Sequence, residues 1–273
     1  MDSQLNSSIN PGSDRAIKLP SYKTLLLNVF RKLIKFKIRL ACNVLVAGLY
    51  NKIRHQFRGV FESDFYCPSC NQKVAFFYAH ANNRHVIFNS ICPHCNSRSR
   101  HRGLVFVYSD FLEASNSLVR ILHFAPEPIF YSLFKGKSAL EYQTADLFLK
   151  DVDRKEDIQN LTIPDGTYDI VLSNHVIEHV PDDDKALSEM CRILRSGGKA
   201  IITIPGDFQR DKTIYFNHLR YNGHYRDYGL DVLTKLKKHY KSVEMIDMHK
   251  FNRAIDGQNH GIRKADMVFV CAK

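Results

Sequence analysis

Residues 168–175 read Tyr168-Asp-Ile-Val-Leu-Ser-Asn174-His175, an apolar run that ends in two polar residues. Tyr168–Ser173 reads as a strand. After a short acidic link, Ala186-Leu-Ser-Glu189-Met-Cys-Arg192-Ile-Leu194 repeats its apolar residues at helical spacing and is closed by Gly197-Gly198. Lys199–Ile204 is again strand-like and stops at Pro205. Strand, helix, glycine stop and strand form one βαβ unit, whose strands lie parallel.

The same alternation continues on either side. Val119–Phe124 and Glu141–Ala145 precede as strands; a helix at Leu230–Tyr240 and strands at Val243–Met248 and Met267–Cys271 follow. The expected fold class over residues 118–273 is α/β, a Rossmann-like doubly wound sheet, mostly parallel, with helices on both faces. In such sheets ligands bind beyond the carboxyl ends of the strands. That directs attention to Phe124-Ala125-Pro126-Glu127, to Asp146, to Asn174-His175 and to Pro205-Gly206, with Asp157-Ile158 in the connection before the central strand.

The run Leu161–Val180, together with Ala186–Pro205, resembles the middle of class I S-adenosylmethionine-dependent methyltransferases. A bacterial subgroup with an N-terminal cysteine-knuckle module is more similar still. It shares the Leu122-His-Phe-Ala-Pro-Glu127 motif and the segment His224-Tyr-Arg226-Asp-Tyr228-Gly229-Leu-Asp231, and the likeness runs from about Phe65 to the C-terminus. The family usually has a glycine-rich turn after its first strand. This chain has Phe124-Ala125-Pro126-Glu127 there, where alanine is nearly as small and proline fixes a turn. The resemblance implies that Phe124–Glu127 line the cofactor. Asp146 would accept hydrogen bonds from the ribose hydroxyls, Asp157-Ile158 would hold the adenine, and Asn174 would bond the cofactor tail or the entering acceptor. His175 and His224 are the candidate bases for a hydroxyl acceptor; His179, in the turn after Glu178, reads as a packing residue.

Cys67-Pro-Ser-Cys70 and Cys92-Pro-His-Cys95 stand 21 residues apart. Two such knuckles complete a closed tetrahedral zinc site. Four thiolates leave no open position, so the expected zinc is structural. Residues 61–102 are accordingly read as a zinc module and 103–117 as a linking helix. The Arg98-Ser-Arg100-His101-Arg102 cluster reads as a solvated or anion-binding helix start.

The net charge of +11 is unevenly spread. Residues 15–58 hold eleven of the 39 lysines and arginines and no acid, so the remaining basic residues equal the 28 acidic ones. Residues 1–20, polar and lacking the basic-then-apolar order of a secretory signal, read as a disordered start. Residues 21–60 read as a basic amphipathic helix, although Ile34–Arg39 also alternates like a strand. The longest cation-free apolar stretch, Leu40–Tyr50, is too short to span a bilayer. It suits an interfacial helix on an anionic membrane surface, through residues 21–57. Seven cysteines are too sparse for a disulfide scaffold, which points to a reducing, cytoplasmic setting, peripheral on the inner face of the membrane.

The function expected from these features is S-adenosylmethionine-dependent methyl transfer to a small-molecule or glycan acceptor, a hydroxyl of a sugar or lipid-linked glycan. Two other classes compete. One is an RNA methyltransferase gripping phosphates with the basic segment, which the neutral body disfavours. The other is a non-catalytic, zinc-stabilised binding module on a degenerate methyltransferase fold.

Overall fold

In the computed structural model, which describes residues 21–34, 38–57, 65–82, 85–113, 118–216, 223–252, 257–264 and 266–273, the apolar run at 168–174 lies inside a seven-stranded sheet. Residues 1–20, the expected disordered start, lie outside the described residues. The chain divides into two units. One comprises residues up to Tyr108 with Met248–Asp266, the other Ser109–Asp247 with Met267–Lys273.

The first unit begins with two helices, α1 (Tyr22–Ile34) and α2 (Ile38–Gln56), where one had been expected. Residues 35–37, the middle of the alternating stretch, are outside the described residues. The Ser21 hydroxyl caps α1 by accepting from the Thr24 amide at 3.1 Å. Gly48 lets the helices close up, because a Cβ there would come within 2.6 Å of the Leu25 side chain. The strands β1 (Phe65–Cys67), β2 (Gln72–Val74), β3 (Tyr78–Ala81) and β4 (Val86–Ile91) form the hairpins β1–β2 and β3–β4. Asn51 docks α2 on β3: its amide donates to the Ala79 carbonyl (3.0 Å) and accepts from the Ala79 N–H (2.6 Å).

The knuckles are the same turn used twice. The Asn71 amide donates to the Cys67 carbonyl and the Asn96 amide to the Cys92 carbonyl, at 2.8 and 3.1 Å. Both asparagines take the left-handed conformation, at φ 59° and 63°, which asparagine tolerates better than most residues. Helix α3 (Ser99–Glu113) follows the second knuckle and runs across the division between the units.

The second unit holds the sheet. Its strands are β5 (Val119–Phe124), β6 (Leu140–Asp146), β7 (Arg154–Lys155), β8 (Tyr168–Asn174), β9 (Leu194–Thr203), β12 (Ser242–Asp247) and β13 (Met267–Ala272). Helices α4 (Tyr131–Phe134), α5 (Asp183–Ile193) and α6 (Val232–His239) and the short hairpin of β10 (Ile214–Tyr215) and β11 (Arg226–Asp227) complete it. The strand order is β12-β13-β9-β8-β5-β6-β7, parallel from β9 to β7. The expected α/β class and mostly parallel sheet are therefore what the chain forms. Every residue of β8 is buried, as a central strand covered on both faces requires. The Asp182 carboxylate caps α5 through the Lys185 amide, and Asp183 and Asp184 add negative charge to its first turn.

Two features depart from the sequence reading. β9 starts at Leu194, opposite Tyr168, and the register then slips so that Lys199 faces Ile170; Gly197, at φ 77°, carries the excursion. β13 runs antiparallel to both β9 and β12, and the chain between β12 and β13 belongs to the first unit. From β5 the chain winds outward through β6 to β7, then returns to β8 on the other side. The order reverses between β5 and β8, and the strand ends there form the crevice of a doubly wound sheet.

Arg102 corrects the expectation of a solvated basic cluster. It is fully buried. Its Nε donates to the His260 carbonyl (2.6 Å), Nη1 to Ser90 (3.1 Å) and Ser97 (2.9 Å), and Nη2 to Asn89 (3.2 Å) and Gly261 (2.8 Å). The guanidinium lies 3.8 Å from the Phe77 ring centroid. Burial pushes its pKa down to about 10, against the pull of Cys67 and Cys92, so it stays charged at neutral pH. Arg102→Met keeps the volume and strands five carbonyls. Breaking a buried charge arrangement from one side costs about 3–5 kcal/mol. We expect faster hydrogen exchange across residues 89–102 and 257–262 and a lower urea midpoint; wild-type exchange in both segments would refute this role.

Candidate active site

At the end of β5, Phe124 is buried and the Ala125 amide donates to the Ala145 carbonyl at 2.9 Å. Ala125 has φ 46°, the left-handed region where a glycine would be unstrained. The position where the resemblance expects glycine is therefore a left-handed turn made by alanine. Pro126 is buried and Glu127 half-buried beside it. His175, at the end of neighbouring β8, is also left-handed at φ 54°, and its amide donates to the Thr203 carbonyl (2.8 Å). Strain of this kind persists where surrounding structure holds it and gathers at functional sites.

Asp146 ends β6. Its Oδ1 accepts from the Phe148 (2.6 Å) and Leu149 (2.8 Å) amides, which leaves Oδ2 without a hydrogen bond among the described residues. Asp157 Oδ1 accepts from the Gln159 amide (2.9 Å) and side chain (3.2 Å), while Ile158 is packed into the core. Asn174 is buried and faces inward. Its amide nitrogen lies 3.4 Å from His123 Nε2, and its oxygen accepts from the Thr203 hydroxyl at 3.3 Å. His123 Nδ1 meets the Tyr142 hydroxyl at 2.9 Å, completing a polar chain across β6, β5, β8 and β9. Burial pushes the His123 pKa down to about 4, so the imidazole is neutral. The sequence reading passed over His123, because a histidine within an apolar strand carries no local signal of its partners.

Beyond β8 the chain turns through Ile177–His179. Glu178 is fully buried, and neither carboxylate oxygen receives a hydrogen bond among the described residues. Around it stand imidazoles: His175 Nδ1 at 3.2 Å and His179 Nε2 at 3.8 Å from Oε1. The His224 ring meets the His179 ring edge-on, with centroids 4.7 Å apart. So the structure brings His175 and His224 to one place, and adds Glu178 and His179, which the sequence reading left as turn and packing residues. Burial lowers the His224 pKa, with the nearby Glu178 carboxylate opposing it.

The loop carrying His224 is held by a second buried charge. Asp183 accepts from the Tyr228 hydroxyl (2.8 Å) and pairs with Lys235 and with Arg226 Nη1 (3.3 Å). Arg226 also donates to the Ile177 (3.1 Å) and Pro181 (2.6 Å) carbonyls, and the Tyr225 amide donates to the Glu178 carbonyl (2.9 Å). Every element of the His224–Asp231 motif that bears on the site therefore acts by docking this loop onto the turn after β8.

In the first unit, Cys67, Cys70, Cys92 and Cys95 converge with their sulfurs within 4.8 Å of one another. The Cys67–Cys95 separation is 3.7 Å and Cys70–Cys92 3.9 Å, and all four are free thiols. Hydrogen bonds from Cys70, Cys92 and Cys95 pull the Cys67 thiol far below its usual range.

Residues 137–202 match the family described as "Methyltransferase domain". Phosphatidylethanolamine N-methyltransferase of Cereibacter sphaeroides is 37% identical over 59 residues, 22% of this chain and 28% of that protein. Ajmaline N-methyltransferase of Rauvolfia serpentina is 46% identical over 46 residues, 17% of this chain and 16% of that one. The chain thus spans less than a third of either relative's length. Among solved structures, Burkholderia thailandensis 1,6-didemethyltoxoflavin-N1-methyltransferase aligns at TM-score 0.44 with 12% identity, covering 64% of this chain and 78% of that chain. The segment that matches a methyltransferase domain is the one bearing Asp146, Asp157, Ile158 and Asn174.

Proposed function

We propose that the second unit catalyses S-adenosylmethionine-dependent methyl transfer to a hydroxyl of a sugar or lipid-linked glycan. The observation that carries the cofactor reading is the coincidence of the methyltransferase-domain match, residues 137–202, with the strand ends at the reversal of strand order. In this reading the Phe124–Glu127 turn lies against the methionine tail of the cofactor. Asp146 Oδ2 accepts from the ribose hydroxyls, Asp157 accepts from the adenine amine, and Ile158 supports the ring. Methyl transfer is an in-line displacement, so holding donor and acceptor at attack distance supplies much of the rate. The acceptor oxygen forms a bond to the methyl carbon, the carbon–sulfur bond breaks onto sulfur, and a histidine of the His175/His224 pair takes the hydroxyl proton. Both relatives are named as N-methyltransferases, of phosphatidylethanolamine and of ajmaline, so the likeness itself points to nitrogen acceptors, and the hydroxyl reading draws on the histidines beside Glu178 instead.

The zinc reading rests on geometry. A tetrahedron with Zn–S of about 2.3 Å has sulfurs about 3.8 Å apart. The observed separations of 3.7 and 3.9 Å fit it. The glycan and membrane reading rests on α1 and α2. Leu26 and Phe30, each 60% exposed, stand out on α1, with Val46, Leu49 and Ile53 exposed on α2 among the basic residues of the segment. No described helix is long and apolar enough to cross a membrane.

These readings make three predictions. Titrating the thiols with an organomercurial should release about one zinc ion per chain, because the four clustered thiolates saturate one ion; freely titratable thiols with no zinc released would end that reading. Asp146→Ala should weaken S-adenosylmethionine binding, followed by calorimetry, by about 1.5–3 kcal/mol, the worth of hydrogen bonds to a charged acceptor. Unchanged affinity in a folded variant would displace Asp146 from the ribose. The full chain should sediment with anionic vesicles, each cation near the surface adding about 1 kcal/mol at low salt. Leu26→Glu with Phe30→Glu should abolish the salt-resistant part. A chain that ignores vesicles, or prefers RNA at physiological salt, would bring the RNA methyltransferase forward.

A further inference from the structure

Glu178 is the one carboxylate in the second unit with both oxygens buried and without a hydrogen bond among the described residues. Removing a carboxylate from water without donors is expensive, and proteins meet that cost with a partner charge or a metal. The groups facing it are imidazole nitrogens, and the way His179 is held says which nitrogen faces it. His179 Nδ1 lies 3.2 Å from the Gly223 carbonyl, to which only an N–H can usefully point. Gly223 has φ 73°, a conformation that suits glycine, so the carbonyl is presented by a turn that a side chain would strain. With Nδ1 as the donor, Nε2 is the nitrogen that faces Glu178 Oε1, 3.8 Å away. A lone pair facing a carboxylate is repulsive unless something positive stands between them. A ring that donates one nitrogen to a backbone carbonyl and offers the other inward is also the usual posture of a metal-ligating histidine. His224 closes the group: ligand atoms of Glu178, His179 and His224 lie within 4.8 Å of one another. Neither the His179 nor the His224 ring is fully buried.

We propose that Glu178, His179 and His224 bind one first-row divalent transition-metal ion. Two neutral imidazoles and one carboxylate suit manganese, iron, cobalt or zinc, whereas magnesium and calcium prefer oxygen-only shells. Three protein ligands leave positions open, unlike the four thiolates of the cysteine cluster. The site stands just past the end of β8, on the side where a doubly wound sheet takes its ligands. Resting on the hydroxyl reading above, the ion would hold the acceptor oxygen and make its proton easier to remove. That assigns His224 to the ion and leaves His175, on the near side of Glu178, to take the proton. The oxygen then forms its bond to the methyl carbon as the carbon–sulfur bond breaks, giving S-adenosylhomocysteine.

The test is manganese binding followed by electron paramagnetic resonance. It uses the full chain with its cysteine cluster zinc-filled and more weakly held metal stripped by chelator. The wild type should take up one manganese ion per chain. Glu178→Gln and His224→Ala should each weaken uptake more than tenfold, while S-adenosylhomocysteine binding by calorimetry stays intact as the measure of fold. Asp146→Ala should retain the manganese. Absence of uptake at millimolar metal, or uptake equal in both ligand variants, would overturn the site and leave Glu178 paired with protonated histidines. Manganese uptake without methyl transfer to any glycan hydroxyl would overturn the acceptor reading and leave the metal site standing.

Discussion

A buried charge must be answered from every side, and the structure is organised by where that demand is met. In the first unit it is met by Arg102. Among the described residues, the knuckles are turns beside short strands and the only regular element of 248–266 is the short helix Met248–Phe251. A single guanidinium takes carbonyls from β4, from the second knuckle and from residues 260–261, and so converts separate loops into one packed body. Its planar fork suits this in a way lysine could not, since five donors in fixed directions reach five acceptors. Gly261 completes the arrangement: a Cβ there would run into the Phe77 ring on which the guanidinium stacks.

The second unit uses the opposite sign. Asp183 sits at the start of α5 and draws in Tyr228, Arg226 and Lys235 from residues some forty to fifty positions later. The result is functional geometry, because Arg226 and Tyr225 also bond the turn that carries Glu178. Glu178 lies five residues before Asp183 and is just as buried, yet it meets imidazoles and no hydrogen-bond donor. Two neighbouring acids thus differ in how their charge is answered, one by hydrogen bonds and cations, the other by imidazoles alone.

Strain marks the same region. Ala125 and His175 end adjacent parallel strands, and both adopt left-handed backbone that costs a non-glycine residue about 1 kcal/mol or more. Each is fixed by a backbone hydrogen bond to the next strand, Ala125 to Ala145 and His175 to Thr203. Behind them the chain of Tyr142, His123, Asn174 and Thr203 ties four strands together with side-chain contacts at that end of the sheet. This end of the sheet is thus built from alanine and histidine held in left-handed conformations that the sheet enforces.

Much of this was legible in the chain itself. The apolar run at 168–174, the helical spacing from Ala186 and the Gly197-Gly198 stop specify a βαβ unit, since these periodicities follow from the geometry of each element. The strand ends then locate Ala125, Asp146 and His175, and two Cys-x-x-Cys turns locate the cysteine cluster, because each knuckle is local. What only the tertiary structure decided involves residues far apart in sequence. Arg102 reads as a surface cation until carbonyls 158 and 159 positions away close over it. The antiparallel pairing of β13 joins it to β9, about seventy positions earlier in the chain. Glu178 and His179 read as an ordinary turn until Gly223 and His224 arrive beside them, 44 positions on from His179 in the case of Gly223. Periodicity and spacing report what a segment does with its own neighbours; which distant groups must share a buried charge is settled only when the chain has folded around it.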